Sequence, residues 1–287
     1  MDSIAKITAL AQKATGKTQA QLLAEAEITQ PKNPPEAEQI ELPLLPEGTT
    51  ATANSLLRCS LFAATKRGQR PYLKRRKLHS ADSISIVYTG ARLDQADLDV
   101  YQQCIYLLSY SGSVNTIKFT ARSFLKEIGR EGGGKDQEWL KDAIARLTAC
   151  SIEISDGKKT YFGSLVEGGK RNEETGFYEI QLNKNLMGLY KAGNWTGIDT
   201  NQRKALRGKS LALWLSAFYA THESPYPYGI EKLMHLSGSE NTETKDFKRK
   251  LANALLELNT KTNWYWEIRG DNLHVFKNAK QLASSTK

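Results

Sequence analysis

Cysteine is scarce: the 287 residues include three, Cys59, Cys104 and Cys150, odd in number and too far apart for a CxxC pair. That count argues against a disulfide framework and against a structural zinc site. Histidine is almost as rare, and His79, His222, His235 and His274 never fall at metal-ligand spacing. No metal is therefore expected, and the two-histidine motif of a rolling-circle nickase is missing. No apolar run approaches the roughly 18 residues that cross a bilayer. The amino terminus also lacks a basic block followed by an apolar one, so a cytoplasmic location with no membrane contact is expected.

Enzyme signatures are missing as well. Ala11 to Thr18 (AQKATGKT) resembles a phosphate loop but lacks its first glycine and has no room for a preceding buried strand. At Gly208-Lys209-Ser210 the upstream glycine position is Arg203, and no Gly-x-Ser-x-Gly element occurs. No catalytic residue and no cofactor are expected.

The most informative absence is of acidic residues between Arg58 and Lys77. Eight of the nine net positive charges sit in these twenty residues, as Arg58, Lys66, Arg67, Arg70, Lys74, Arg75, Arg76 and Lys77. Such a run repels itself, so it persists as a solvated arm or as a surface shaped for a polyanion. Beside an otherwise charge-balanced sequence it reads as a phosphate-binding arm on a folded reader.

What is present allows two domains of ordinary size in a soluble composition. Five of the eight prolines (Pro31, Pro34, Pro35, Pro43 and Pro46) lie before residue 48, behind a marginal helical stretch from Ile4 to Ala26. Residues 1–53 are expected to be largely disordered linker, followed by the basic arm over 54–80.

Packed structure is expected from about residue 82. Alternation at Ile84, Ile86 and Tyr88 predicts a strand, and Leu98, Tyr101, Ile105 and Leu108 predict a helix over Asp94 to Ser109. A strand at Val114 to Phe119, a short helix at Ala121 to Ile128 and a second helix at Asp136 to Ala149 follow. Ile152 and Ile154, the Asp156-Gly157 turn and Tyr161 to Val166 make a hairpin, with a third strand at Phe177 to Leu182.

The pattern then recurs. A long helix at Thr200 to Ala220 leads to a short one at Gly229 to Leu236, a turn, a helix at Thr242 to Leu258 and a hairpin through Gly270-Asp271. Leu140, Ile144 and Leu147 align with Phe247, Leu251 and Ala254. The expected fold is α+β, with two tandem winged-helix domains over 81–195 and 196–287.

In such modules the second helix enters the major groove. Opposite the Phe247/Leu251 stripe stand Lys245 and Arg249, flanked by Thr242, Lys248 and Asn253, side chains suited to guanine and phosphate. The first module is less favourable, because Glu138 and Asp142 face outward there. Its candidates are Lys135, Gln137, Lys141 and Arg146 around that helix, the hairpin tip Lys158-Lys159 and the loop Lys170-Arg171. Arg203, Lys204, Arg207 and Lys209 form a further basic cluster. Trp264 and Trp266, on one strand face, read as packing residues, as do Trp139, Trp195 and Trp214.

Two segments carry a resemblance: Ser60-Leu61-Phe62-Ala63-Ala64-Thr65-Lys66-Arg67-Gly68-Gln69-Arg70, and His222-Glu223-Ser224-Pro225-Tyr226-Pro227 continuing through Leu233 to Ser239. Over about Leu56 to Lys277 the chain resembles the TrfA/RepC-like plasmid replication initiators. The resemblance implies binding of duplex origin repeats called iterons, opening of an AT-rich region, recruitment of the host replicative helicase and initiator, exchange between monomer and dimer, and no catalysis. It also implies a peptide that binds the sliding clamp, here Gln39, Leu42, Leu44 and Leu45, with Leu45 where phenylalanine is usual. A repressor with the same fold remains the open alternative.

Overall fold

The computed structural model describes residues 42, 44–65, 68, 70–81, 84–158, 160–191, 193–278 and 281. In chain order its elements begin with β1 (Thr49–Ala53), α1 (Asn54–Leu57), β2 (Tyr72–Leu78), β3 (Ser85–Ala91), α2 (Gln95–Ser111), β4 (Thr116–Thr120), α3 (Ala121–Glu127) and α4 (Gly134–Ala149). They continue through β5 (Ser151–Ser155), β6 (Thr160–Gly163), β7 (Val166–Asn172), β8 (Phe177–Leu182), a 3-10 helix (Lys184–Tyr190) and β9 (Trp195–Asp199). The remainder is α5 (Thr200–Ala205), α6 (Ser210–Ala220), β10 (Tyr228–Gly229), α7 (Ile230–Leu236), α8 (Thr244–Asn259), β11 (Tyr265–Arg269) and β12 (Asn272–Phe276). The fold is mixed α+β.

The repeat is visible in how the strands pair. In the first module α2, β4, α3 and α4 follow one another and, after β5 and β6, the β7–β8 hairpin completes a sheet of order β4-β8-β7. The second runs α6, β10, α7, α8 and the β11–β12 hairpin, with order β10-β12-β11. In both, the strand before the helix pair joins the last strand of the hairpin. The hairpin that completes the first module is thus β7–β8, not the β5–β6 hairpin expected to do so. β5 and β6 extend a separate sheet of order β2-β3-β5-β6. Alternation places Ile152 and Ile154 on a buried face but cannot say which sheet owns them, because only partner strands decide that.

Three other expectations are corrected. Thr49–Ala53, inside the stretch expected to lack structure, pairs antiparallel with β9 from Thr49↔Asp199 to Ala53↔Trp195. The long helix expected at Thr200 to Ala220 is two helices, α5 and α6, separated where Gly208 adopts φ +85°, a left-handed conformation no helix interior contains. Tyr161 to Val166 is not one strand, because β6 ends at Gly163 and β7 begins at Val166 in another sheet.

Helix α2 is the centre of the larger core, burying Leu98, Val100, Tyr101, Cys104, Ile105 and Leu108. Its start is capped reciprocally: Asp94 accepts from the amides of Ala96 and Asp97, while Asp97 accepts from the Asp94 amide. The buried Gln102 ties this helix to β1: its Nε2 donates to Thr52 Oγ1 at 2.8 Å, and its backbone carbonyl accepts from Thr50 Oγ1. The smaller core gathers Leu206, Trp214, Phe218, Leu233, Phe247, Leu251 and Leu255.

The two cores are joined within one compact unit spanning Ile40–Lys287. Arg58 donates to the Thr221 carbonyl at 2.6 Å, Trp214 Nε1 to the Cys59 carbonyl at 3.4 Å, and the Ala64 amide to the Ser237 carbonyl at 2.7 Å. Residues 54–65, expected to belong to an arm, therefore lie between the modules, with Leu56, Leu57, Leu61 and Phe62 buried.

Arg70 anchors the entry to α2. Its guanidinium lies 2.6 Å from Asp94 and 2.6 Å from Asp97, and Arg146 of α4 reaches the other Asp97 oxygen at 2.8 Å. Arg70→Ala leaves the fully buried Asp97 with one of its two cationic partners. Since Arg146 remains and Arg70 is partly exposed, a loss of about 2 kcal/mol is expected, below the full cost of stranding a buried charge. Thermal unfolding measures it, and an unchanged Tm would show that Arg146 alone satisfies the site.

Candidate nucleic-acid interface

The basic run is built into the fold as an edge strand. Leu73 and Leu78 both face the core side, although five positions separate them and strict alternation would put them on opposite faces. A bulge resolves the conflict: Leu73 is opposite Gly90 but Arg76 is opposite Tyr88, so β2 carries one extra residue. Arg75 takes φ 44° there, and its amide donates to Thr89 Oγ1 at 3.0 Å. As a result Lys74, Arg75, Arg76 and Lys77 are all exposed. A charged, bulged edge also resists pairing with another strand. The expected free arm is thus corrected over Tyr72–Leu78: it is sheet, held by its two leucines.

The individual charges separate into spent and available groups. Arg70, expected to meet DNA, is committed to Asp94 and Asp97. Arg203 is 4% exposed, bonded to Asp99 at 2.6 Å and to Gln95, and so leaves the set of contacts. Burial raises the Asp99 carboxyl above its ordinary range although the Arg203 guanidinium opposes the shift. Arg207 is exposed but donates to the Gly129 carbonyl, and Lys204 is half-buried with its stem against Gly129. Arg75 pairs with Glu153 at 2.5 Å. Lys66, Arg67 and Lys159 lie outside the described residues.

On the first module, Lys135 and Lys158 are exposed. Lys141 is held by Glu138 at 2.6 Å and faces Glu173 at 3.6 Å. The outward face of α4 comprises Lys135, Glu138, Asp142, Ala145 and Ala149, all exposed. Lys170 and Arg171 belong to β7, not to a loop, and lie beside Glu179 and Glu173. The β5–β6 tip carrying Lys158 extends from the four-stranded sheet, so it is not this module's wing.

On the second module, burial of Phe247, Leu251, Ala254, Leu255 and Leu258 turns Lys245, Arg249 and Asn253 outward, as the spacing predicts. Arg249 keeps 76% of its side-chain surface, with Asp246 at 3.6 Å. Lys248 points instead at the hairpin turn and donates to the Gly270 carbonyl at 3.1 Å. Thr242 is exposed but precedes the helix, which begins at Thr244.

The end of the basic strand and the residue after β3 reach the second module through contacts that sequence spacing did not predict. Arg92, following β3, donates to the Gly238 carbonyl in the turn before α8. Burial lowers its pKa from the ordinary value, Glu240 opposing and Arg76 reinforcing the shift. His79, just past β2, stacks on His235 of α7 with ring centroids 4.8 Å apart, although the two are far apart in sequence. Burial, His235 and Arg92 depress its pKa. A Cβ at Gly238 would strike the Arg92 guanidinium and come within 2.9 Å of Ala63, so the junction requires glycine.

Between the modules lies a cleft of about 1240 Å³ bordered by Trp139, Arg207, Lys209, Lys250 and Leu256. The Arg130 guanidinium lies 3.3 Å over the Trp139 ring. Among the described residues no cluster of His, Cys, Asp or Glu could hold a metal. Burial pushes the Cys104 thiol up to about 12 and the Cys150 thiol up to about 11, leaving neither as a nucleophile.

The leucines of the peptide suggested for a clamp are partly occupied. Leu42 and Leu45 pack against the larger core, and Tyr110 Oη donates to the Leu45 carbonyl at 2.5 Å. Leu44 is 69% exposed, and Gln39 lies outside the described residues. Seating in a groove on α2 could not be read from a Pro/Leu-rich segment.

The fold is one found in initiator proteins. The Pi initiator protein, solved in complex with iteron DNA, superposes with TM-score 0.53 at 13% identity, covering 81% of this chain and 97% of that one. Domains 2 and 3 of RctB give 0.53 at 11% identity over 78% and 98%.

Residues 5–274 match the family model described as TrfA protein, and the chain belongs to that family. The plasmid replication initiator protein TrfA of Escherichia coli is 21% identical over 222 residues, 74% of this chain and 57% of that protein. The chain thus spans little more than half the length of this curated relative.

The exposed set Lys74, Arg76 and Lys77 has no acidic partner among the described ion pairs, whereas Arg75 has Glu153. Changing any one of these three to glutamine should lower the salt at which the protein elutes from heparin, and Arg75→Gln should shift elution less than each of those single changes. Equal shifts would mean that Glu153 does not neutralise Arg75 in solution.

Proposed function

We propose that the chain is a plasmid replication initiator that binds directly repeated origin sites as duplex DNA, promotes opening of an adjacent region and recruits host replication proteins, without catalysis of its own. In this reading the two helix–hairpin modules are winged helices, with α4 and α8 as the groove-facing helices and β7–β8 and β11–β12 as wings. One observation carries it: the same strand order recurs in both modules, and the second presents an unburied cationic helix face. Membership of the TrfA family and the fold shared with an iteron-bound initiator support it.

The roles are unequal. Lys245 and Arg249 supply base and phosphate contacts, while Lys74, Arg76 and Lys77 add attraction that does not depend on sequence. The first module, whose outward helix face carries Glu138 and Asp142, contributes through Lys135 and through positioning. Sliding-clamp contact through Leu42, Leu44 and Leu45 requires release of Leu42 and Leu45 from α2. Helicase and host-initiator contacts, and exchange between monomer and dimer, belong to the reading as the family resemblance brings them.

Arg249→Ala should cost about 1–3 kcal/mol on the specific site and relax one of its positions, with little change on random duplex. Equal losses on both DNAs would make Arg249 a backbone contact. Initiation itself is tested by maintenance of a plasmid that carries only the cognate repeats while this protein is supplied in trans. A chain that binds those repeats but does not sustain the plasmid would be a repressor.

A further inference from the structure

Helix α8 leaves one stripe uncovered, and its composition changes along its length. At 100° per residue, Lys245, Arg249, Asn253 and Leu256 fall opposite the buried Phe247/Leu251/Leu258 face, and all four are exposed. The neighbouring lysines are engaged elsewhere, Lys248 with the Gly270 carbonyl and Lys250 with Asn241 at 2.5 Å. Asn253 has no hydrogen-bond partner among the described residues. Leu256 leaves 58% of its surface in water at the far end of the stripe. The face thus runs from cations through an amide to an aliphatic group.

Those three chemistries match three different base edges. Guanine offers N7 and O6, two acceptors for a guanidinium or ammonium. Adenine offers an acceptor and a donor that an asparagine amide matches, and thymine offers a methyl group. The rise of an α-helix separates Arg249 from Asn253 by about 6 Å, Asn253 from Leu256 by about 4.5 Å and Lys245 from Leu256 by about 16 Å. At about 3.4 Å per base step the stripe covers roughly five base pairs.

We propose that α8 reads a major-groove segment in the order guanine, adenine, thymine, with Lys245 and Arg249 on guanine acceptors, Asn253 on adenine and Leu256 against the thymine methyl. This assignment rests on the duplex-reading function proposed above and adds which bases the repeat must contain. Leu256 is a specificity residue: it carries no charge, and its discrimination comes from covering a methyl group that cytosine and uracil lack. Its place at the border of the cleft makes an apolar protein partner the competing occupant, and the test below separates the two.

The full chain selects its preferred duplex from a randomised library. Each thymine of that duplex is then replaced by deoxyuridine, which removes only the methyl, and each adenine by 7-deazaadenine, which removes only N7. One thymine replacement should weaken binding by the unaltered chain about threefold to fivefold, the value of one buried methyl group. Leu256→Ala should be indifferent to that replacement, while Leu256→Met should retain the sensitivity.

One 7-deazaadenine, within about two base pairs of that thymine, should weaken the unaltered chain about tenfold and leave Asn253→Ala unaffected. Both residues are exposed, and an unchanged Tm confirms that the variants fold. If Leu256→Ala and Asn253→Ala respond to every replacement as the unaltered chain does, or if no replacement matters, the base assignment is wrong although duplex reading stands. Failure to select any preferred duplex would overturn both.

Discussion

Asp97 has no solvent contact, and it holds two guanidinium groups that come from opposite directions, Arg70 from the entry to the basic strand and Arg146 from near the end of α4. A carboxylate buried this completely is tolerable only while paired, and breaking either pairing is far costlier than making it is rewarding. Asp97 also completes the reciprocal cap at the start of α2. A single charged group therefore ties together the strand that carries free cations, the central helix of the larger core and the helix of the first module. Burial and Asp97 push the neighbouring Asp94 carboxyl upward while Arg70 opposes the shift, so Arg70 is also what keeps this acidic pair compatible with the interior.

The chain uses its surplus of positive charge in two different ways. Arg58, Arg70 and Arg203 cross between elements, and their charge is matched by Asp94, Asp97 and Asp99 or their donors by carbonyl groups. Arginine suits this task because its planar fork serves several acceptors at once. Lys74, Arg76, Lys77, Lys245 and Arg249 stay at the surface, where counterion release favours a polyanion. The Arg92–Gly238 hydrogen bond and the His79/His235 stack join the sheet that carries Lys74, Arg76 and Lys77 to the second module, which carries Lys245 and Arg249.

The two modules share a topology but not a surface. In α8 the outward stripe is cationic, then amide, then aliphatic, whereas α4 shows two carboxylates and two alanines in the corresponding direction. Topology is preserved because each module must satisfy the same strand pairing and bury the same helix face. Nothing in that requirement constrains the opposite side. The first module also supports β2, β3, β5 and β6 as an additional sheet, so it carries the basic strand that the second module lacks.

Much of this was legible from residue order. Helical spacing located α2, α4 and α8 and assigned Lys245 and Arg249 to the outside of the last, because burial of Phe247 and Leu251 fixes the opposite face by geometry alone. The alternation in Ile152 and Ile154 identified a half-buried strand, and the absence of acids over 58–77 marked a segment of which Lys74 to Lys77 are exposed. Tertiary structure alone decided which charges are free, since Arg70 and Lys74 look alike in a basic run until Asp94 and Asp97 approach one of them. It also decided that β7–β8, not β5–β6, completes the first module, that a bulge turns β2's charges outward, and that Leu42 and Leu45 rest on α2. In each case the deciding partner lies far away in the chain. Periodicity reports which side of an element meets the interior, and it carries no information about which distant group is waiting there.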